Sequence, residues 1–179
     1  KIIFGPDKHL GAYLNKETGR NMVLWPGTCI VHEQFNEREL IKLMTRHPSA
    51  SLVAHPECPE EILKHANHVG STRSILEYAT KTSGTEFIVA TEQHIIHQMQ
   101  LETPDRTFIP APGSDGTCNC ANCPYMALND LEKLYFAMLN EIPRIEIPEE
   151  LRLSALKPLN KMLDMTPKNV NPASKIVAA

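Results

Sequence analysis

Short apolar runs alternate along the chain with segments of helical periodicity, and this alternation constrains the fold more than any other feature. The runs are KIIFG at residues 1–5, MVLW at 22–25, SLVA at 51–54, FIVA at 87–90 and Phe108-Ile109. Each ends in a proline-bearing or polar turn. Runs this short without polar alternation suit strands buried on both faces, as in parallel sheets, and parallel strands need helical crossovers. The pattern therefore predicts an α/β chain, a three-layer α/β/α sandwich around a parallel sheet. Helices are predicted over 36–46, with Asn36 as N-cap, and over 59–69, with Pro59 in the first turn and Gly70 as stop. Ser71 or Thr72 caps the next helix, and Thr91 caps one over 92–100. Further helices are predicted over 126–139 and 149–165, the latter kinked or broken at Pro158, before a loose tail from Pro167.

At 179 residues the chain suits one ordinary domain or two small ones, large enough to bury a core without disulfides. Net charge is -3 and the basic residues are scattered, which argues against nucleic acid as a partner. No apolar run approaches the ~20 residues that span a membrane, and no charged-then-apolar leader opens the chain. It begins at Lys1 and passes directly into an apolar run, as a fragment of a longer protein would. Five cysteines form an odd set, and three of them, Cys118, Cys120 and Cys123, fall within six residues. That is a poor disulfide framework and fits an intracellular protein holding metal through thiolates. Cys29 and Cys58 taken alone read as small buried hydrophobes.

In parallel sheets the ligand crevice lies beyond the carboxyl ends of the strands. Four ends carry polar groups there: Thr28-Cys29, His55-Pro56-Glu57-Cys58, Thr91-Glu92 and the cysteine loop. His55 and Glu57 straddle a proline, so an imidazole and a carboxyl can share one crevice and exchange protons near neutral pH. Gly70-Ser71-Thr72 offers hydroxyls and free N–H groups as an anion seat, or serves as an ordinary helix cap. The pairs His65/His68 and His94/His97 read as surface or core residues, and His9, His32 and His47 carry no motif.

Four segments together resemble the quinolinate synthase family. They are WPGTCIVHEQF (25–35), HPECPEEI (55–62), VGSTRSI (69–75) and CNCANCPYMALNDLEKL (118–134), and the likeness extends to FGPDKHLGAYL near the start. The resemblance implies an enzyme about twice this length, with three α/β sandwich domains in pseudo-threefold array. Residues 1–33 would end the second domain, 34–123 form the third, and 124–179 make C-terminal helices and tail. It further implies one [4Fe-4S] cluster, with Cys29 and Cys123 as ligands and a third cysteine upstream of Lys1. Cys118 and Cys120 would be spare or a redox pair, and Cys58 would lie outside the ligand set. The implied reaction condenses iminoaspartate with dihydroxyacetone phosphate to quinolinate in de novo NAD biosynthesis. Glu57 and His55 would be catalytic and line the substrate pocket, and Ser71 and Thr72 would bind a substrate carboxylate or phosphate. A cytoplasmic homodimer with L-aspartate oxidase as functional partner completes that expectation. The competing readings are a structural zinc module using Cys29 and the cysteine trio, and a redox-sensing α/β domain without catalysis.

Overall fold

The computed structural model describes residues 1–114 and 121–166. Two units divide at Asn129/Asp130. Within the first, β1 (Ile3–Phe4), α1 (Lys8–Thr18) and β2 (Val23–Leu24) form a β-α-β unit whose strands pair in parallel. The sequence reading placed no element over 8–18. Asp7 starts this helix, its Oδ1 accepting the Leu10 N–H at 2.8 Å. Gly11 lets α1 lie close on the strands, because a Cβ there would meet Leu24 Cδ2 at 2.5 Å and Phe4 Cδ1 at 2.8 Å.

The second sheet has four parallel strands in the order β4-β3-β5-β6, formed by β3 (Ser51–Ala54), β4 (His68–Val69), β5 (Glu86–Ala90) and β6 (Thr107–Pro110). Strand side chains alternate faces, which sorts the core in two. Leu52, Ala54, Ile88 and Ala90 pack with Leu40 and Leu43 of α2 (Glu37–Arg46) and with Ile62 and Leu63 of α3 (Glu60–Leu63). Val53, Phe87, Val89 and Phe108 pack with Ile75 and Ala79 of α4 (Thr72–Lys81) and with Met99 of α5 (Ile95–Glu102). Helices therefore cover both faces, giving the expected α/β/α layering.

Two boundaries differ from expectation. The helix expected over 59–69 stops at Leu63, and His68–Val69 join the sheet as β4. Asn67 makes that switch, because its N–H donates to the Leu52 carbonyl at 2.8 Å and its Oδ1 accepts the Leu52 N–H at 2.7 Å. The side chain completes a sheet-like pairing that outcompetes the next helical turn. The helix expected over 92–100 starts at Ile95, and Thr91 is not its cap: Thr91 is buried and turned toward His32.

In the second unit, α6 (Leu131–Asn140) is capped by Asp130, whose Oδ1 accepts the Lys133 N–H at 2.7 Å, so the stretch expected as one helix from Met126 splits into a 3-10 turn (Met126–Leu128) and α6. The helix α7 (Glu149–Met165) continues through Pro158. Neither helix has a buried residue among those described. The tail predicted from Pro167 lies outside the described residues.

Candidate metal and acid–base site

The carboxyl ends of the parallel strands gather the chemistry-bearing side chains. Asp7 follows β1, Cys29 follows β2, His55, Glu57 and Cys58 follow β3, Thr91 and Glu92 follow β5, and Cys123 comes after β6. The His55 N–H donates to the Ala90 carbonyl at 3.0 Å, and the Cys58 N–H donates back to the His55 carbonyl at 2.9 Å. This closes a four-residue turn with Pro56 at its second position, where a fixed φ is favoured. The turn brings His55 and Glu57 together: the Glu57 N–H donates to His55 Nδ1 at 3.4 Å, and Glu57 Oε2 lies 3.9 Å from the same nitrogen. Cys58 is buried in the core, its thiol donating to the Ala90 carbonyl at 3.3 Å, and burial pushes that thiol well above its ordinary range.

His32, which carried no motif, joins this pair. It lies in the 3-10 turn His32–Gln34 and is 6% exposed. Its ring stacks on His55 with centroids 4.7 Å apart and planes 14° from parallel, and Nε2 shares a hydrogen bond with Thr91 Oγ1 at 3.1 Å. Burial first, then the neighbouring His55, lowers its pKa to about 4. Nδ1 lies 3.1 Å from Glu57 Oε2, yet it has no hydrogen-bond partner. Because the imidazole is neutral near pH 7, this contact is not an ion pair. Burial also lowers the His55 pKa, opposed by the charge of Asp7. Glu57 is shifted upward by burial and then by Asp7, against a hydrogen bond from the Cys29 thiol. A carboxyl group moved up toward neutrality beside neutral imidazoles is suited to giving and taking a proton.

A buried ring nitrogen without a partner costs about 1–3 kcal/mol unless a further group satisfies it. The donor set beside it fits a metal. Ligand atoms of Cys29, His32 and Glu57 all lie within 4.8 Å of one another. Thiolate, imidazole and carboxylate together are chemistry that holds zinc or iron. Cys123 is half-buried and packs on the same apolar cluster as Cys29, its N–H directed to Glu92 Oε1 at 3.4 Å. Cys118 and Cys120 lie outside the described residues.

Ser71 and Thr72 sit at the start of α4, beyond the carboxyl end of β4 and one strand from His55. Both are exposed, and Ser71 Oγ accepts the Ser74 N–H at 3.3 Å as an N-cap. Sequence reading missed His32 and Asp7. The signal for His32 was its place three residues after Cys29, since the Glu33 N–H donates to the Cys29 carbonyl at 3.0 Å and winds His32 toward the same crevice.

A family model described as "Quinolinate synthetase A protein" matches residues 1–164. A protein of Thermosynechococcus vestitus named quinolinate synthase is 54% identical over 165 residues, covering 92% of this chain and 52% of its own length. The quinolinate synthase of Trichodesmium erythraeum is 53% identical over 92% of this chain and 51% of its own length. That of Chloroherpeton thalassium is 51% identical over 93% of this chain and 52% of its own length. The chain thus spans about half the length of the curated relatives it matches.

Proposed function

The chain belongs to the quinolinate synthetase A protein family, and from that premise we propose that it is part of a quinolinate synthase, condensing iminoaspartate with dihydroxyacetone phosphate in de novo NAD biosynthesis. The supporting observation is the crowding of Cys29, His32, His55 and Glu57 at the carboxyl ends of the strands. In this reading residues 1–33 end a second domain, 34–123 form a third and 124–179 are C-terminal helices and tail. Cys29 and Cys123 hold a [4Fe-4S] cluster, a third cysteine comes from the half of the protein upstream of Lys1, and Cys118 and Cys120 are not ligands. Such a cluster with one iron free of thiolate supplies a Lewis acid for a substrate carboxylate or hydroxyl.

The chain's own residues supply the rest. Glu57, its carboxyl group raised by burial, takes a proton at its carboxylate and returns it during enolisation and dehydration. His55 receives the Glu57 N–H on Nδ1, which leaves Nε2 to carry the proton and donate it as a hydrogen bond to substrate. His32, stacked beneath, holds that ring in place. Ser71, Thr72 and the free N–H groups at the start of α4 receive a substrate carboxylate or phosphate. The protein acts as a cytoplasmic homodimer, with L-aspartate oxidase as functional partner.

The test is anaerobic purification of the full-length chain. We expect a brown protein with about four irons per chain and broad absorbance near ~400 nm. Cys29→Ser and Cys123→Ser are expected to lose it and Cys118→Ser to keep it; loss in Cys118→Ser overturns the ligand assignment. A second reading, a zinc site on Cys29, His32 and Glu57, is favoured by the 4.8 Å spread of their ligand atoms. A colourless protein with one tight zinc per chain would exclude the cluster, and loss of that zinc in His32→Ala would establish this site.

A further inference from the structure

Asp7 is buried, 3% exposed, and lies at the end of β1 before α1. A buried carboxylate is costly unless its oxygens are engaged. Both are: Oδ1 accepts the Leu10 N–H at 2.8 Å, and Oδ2 accepts the Cys29 N–H at 3.0 Å, from a loop 22 residues further on. A helix cap needs one acceptor, and Ser, Asn or Asp provides it about equally well. Here the two donors are taken by two different oxygens, and among short side chains only a carboxylate presents two acceptor oxygens. The same loop is tied a second time, where the Lys8 N–H donates to the Gly27 carbonyl at 2.8 Å. There is no slack at that point, because a Cβ on Gly27 would meet the Pro6 carbonyl oxygen at 2.3 Å. The charge of Asp7 also bears on His32, His55 and Glu57.

We propose that Asp7 is a positioning residue, whose second carboxylate oxygen fixes the backbone of Cys29 and thereby sets the direction of its sulfur toward a metal. The inference rests on the reading of Cys29 as a ligand. Cys29 lies in the strand-end loop that also winds His32 into the crevice, where its carbonyl accepts the Glu33 N–H at 3.0 Å. Holding its N–H therefore holds thiol and imidazole in one register, as hydrogen bonds behind metal ligands commonly do.

The test uses the full-length protein purified without oxygen. Asp7→Ser keeps a good helix cap but has no second oxygen to stand where Oδ2 meets the Cys29 N–H. Asp7→Asn keeps the length and presents an N–H where one donor stands. We expect both variants to fold, with iron release to a chelator accelerated about 10–100-fold, the range seen when a group behind a metal ligand is removed. The midpoint potential of the bound metal group is expected to move positive, because a buried negative charge disfavours reduction. Melting points lowered with unchanged chelator release and unchanged potential would make Asp7 a helix cap alone and overturn the proposal. So would unfolding of both variants. Cys29→Ser separates the two levels. If it keeps its metal, the ligand reading fails. If it loses its metal while the Asp7 variants behave as wild type, only this inference fails.

Discussion

The two sulfurs of neighbouring loops show how burial divides chemistry from packing. Cys29 is half-buried with imidazole and carboxyl neighbours, whereas Cys58 is sealed in the core with its thiol on the Ala90 carbonyl. Cys58→Ala is therefore expected to cost about 1–2 kcal/mol in denaturant unfolding and to leave metal content unchanged. Parallel loss of metal would place Cys58 in the site. Glu57 carries the opposite expectation. In the full-length enzyme Glu57→Gln removes the proton acceptor while keeping shape, so kcat is expected to fall about 10²–10⁴-fold with an unchanged circular dichroism spectrum. Activity within a factor of about ten of wild type would remove Glu57 from proton transfer. His55 and Glu57 were legible because a proline between two polar residues at a strand end is a local signal. His32 was not, because its meaning depends on stacking against a ring 23 residues away and on Thr91, 59 residues away.

Among the elements, the start of α4 has two duties that one substitution series can separate. Ser71→Ala removes the cap and is expected to lower stability by about 1 kcal/mol. Ser71→Asp restores a cap and suits the helix dipole, yet repels an anionic substrate. Its melting temperature is expected to recover while KM rises many-fold. Recovery of both would leave Ser71 a cap and nothing more. The junction of α2 and α3 gives a pH expectation. Hydrogen bonds from Lys64, and then from His65, hold the Glu37 carboxyl below its usual range. A carboxylate with a depressed folded pKa stabilises above its unfolded pKa of ~4.3 and loses that contribution as pH falls through the folded value. The melting-temperature difference between wild type and Glu37→Gln should therefore be present at pH 6 and shrink as the pH falls below the unfolded pKa of ~4.3. A difference that does not shrink as the pH falls would assign the effect to packing. Helices with a cap and a stripe, such as α2 and α4, were readable. The helix α1 was not: Gly11 interrupts its stripe, and its cap Asp7 doubles as an anchor for Cys29.

At the scale of the whole molecule, the chain is one half of the length of its relatives, and its C-terminal helices expose Leu131, Tyr135, Met138, Leu151 and Leu163. Residues 1–179 expressed alone are expected to bind a hydrophobic dye, to self-associate, and to retain far less iron than the full-length protein, since only part of the proposed ligand set is present. A monodisperse fragment with a full iron complement would contradict the proposed third ligand. The α/β class, the parallel strands and the meeting of His55 and Glu57 across a proline were determined by the sequence itself. Apolar runs, turn residues and thiol spacing act over a few positions, and their physics is local. The tertiary structure decided that residues 68–69 are a strand, that Thr91 serves His32 and not a helix, and that Asp7 holds Cys29. Each of those outcomes is a competition for a hydrogen bond between groups from about 15 to 59 residues apart. Such a competition is settled by which partner the packed sheet brings within 3 Å or so, and no run of neighbouring residues encodes that distance.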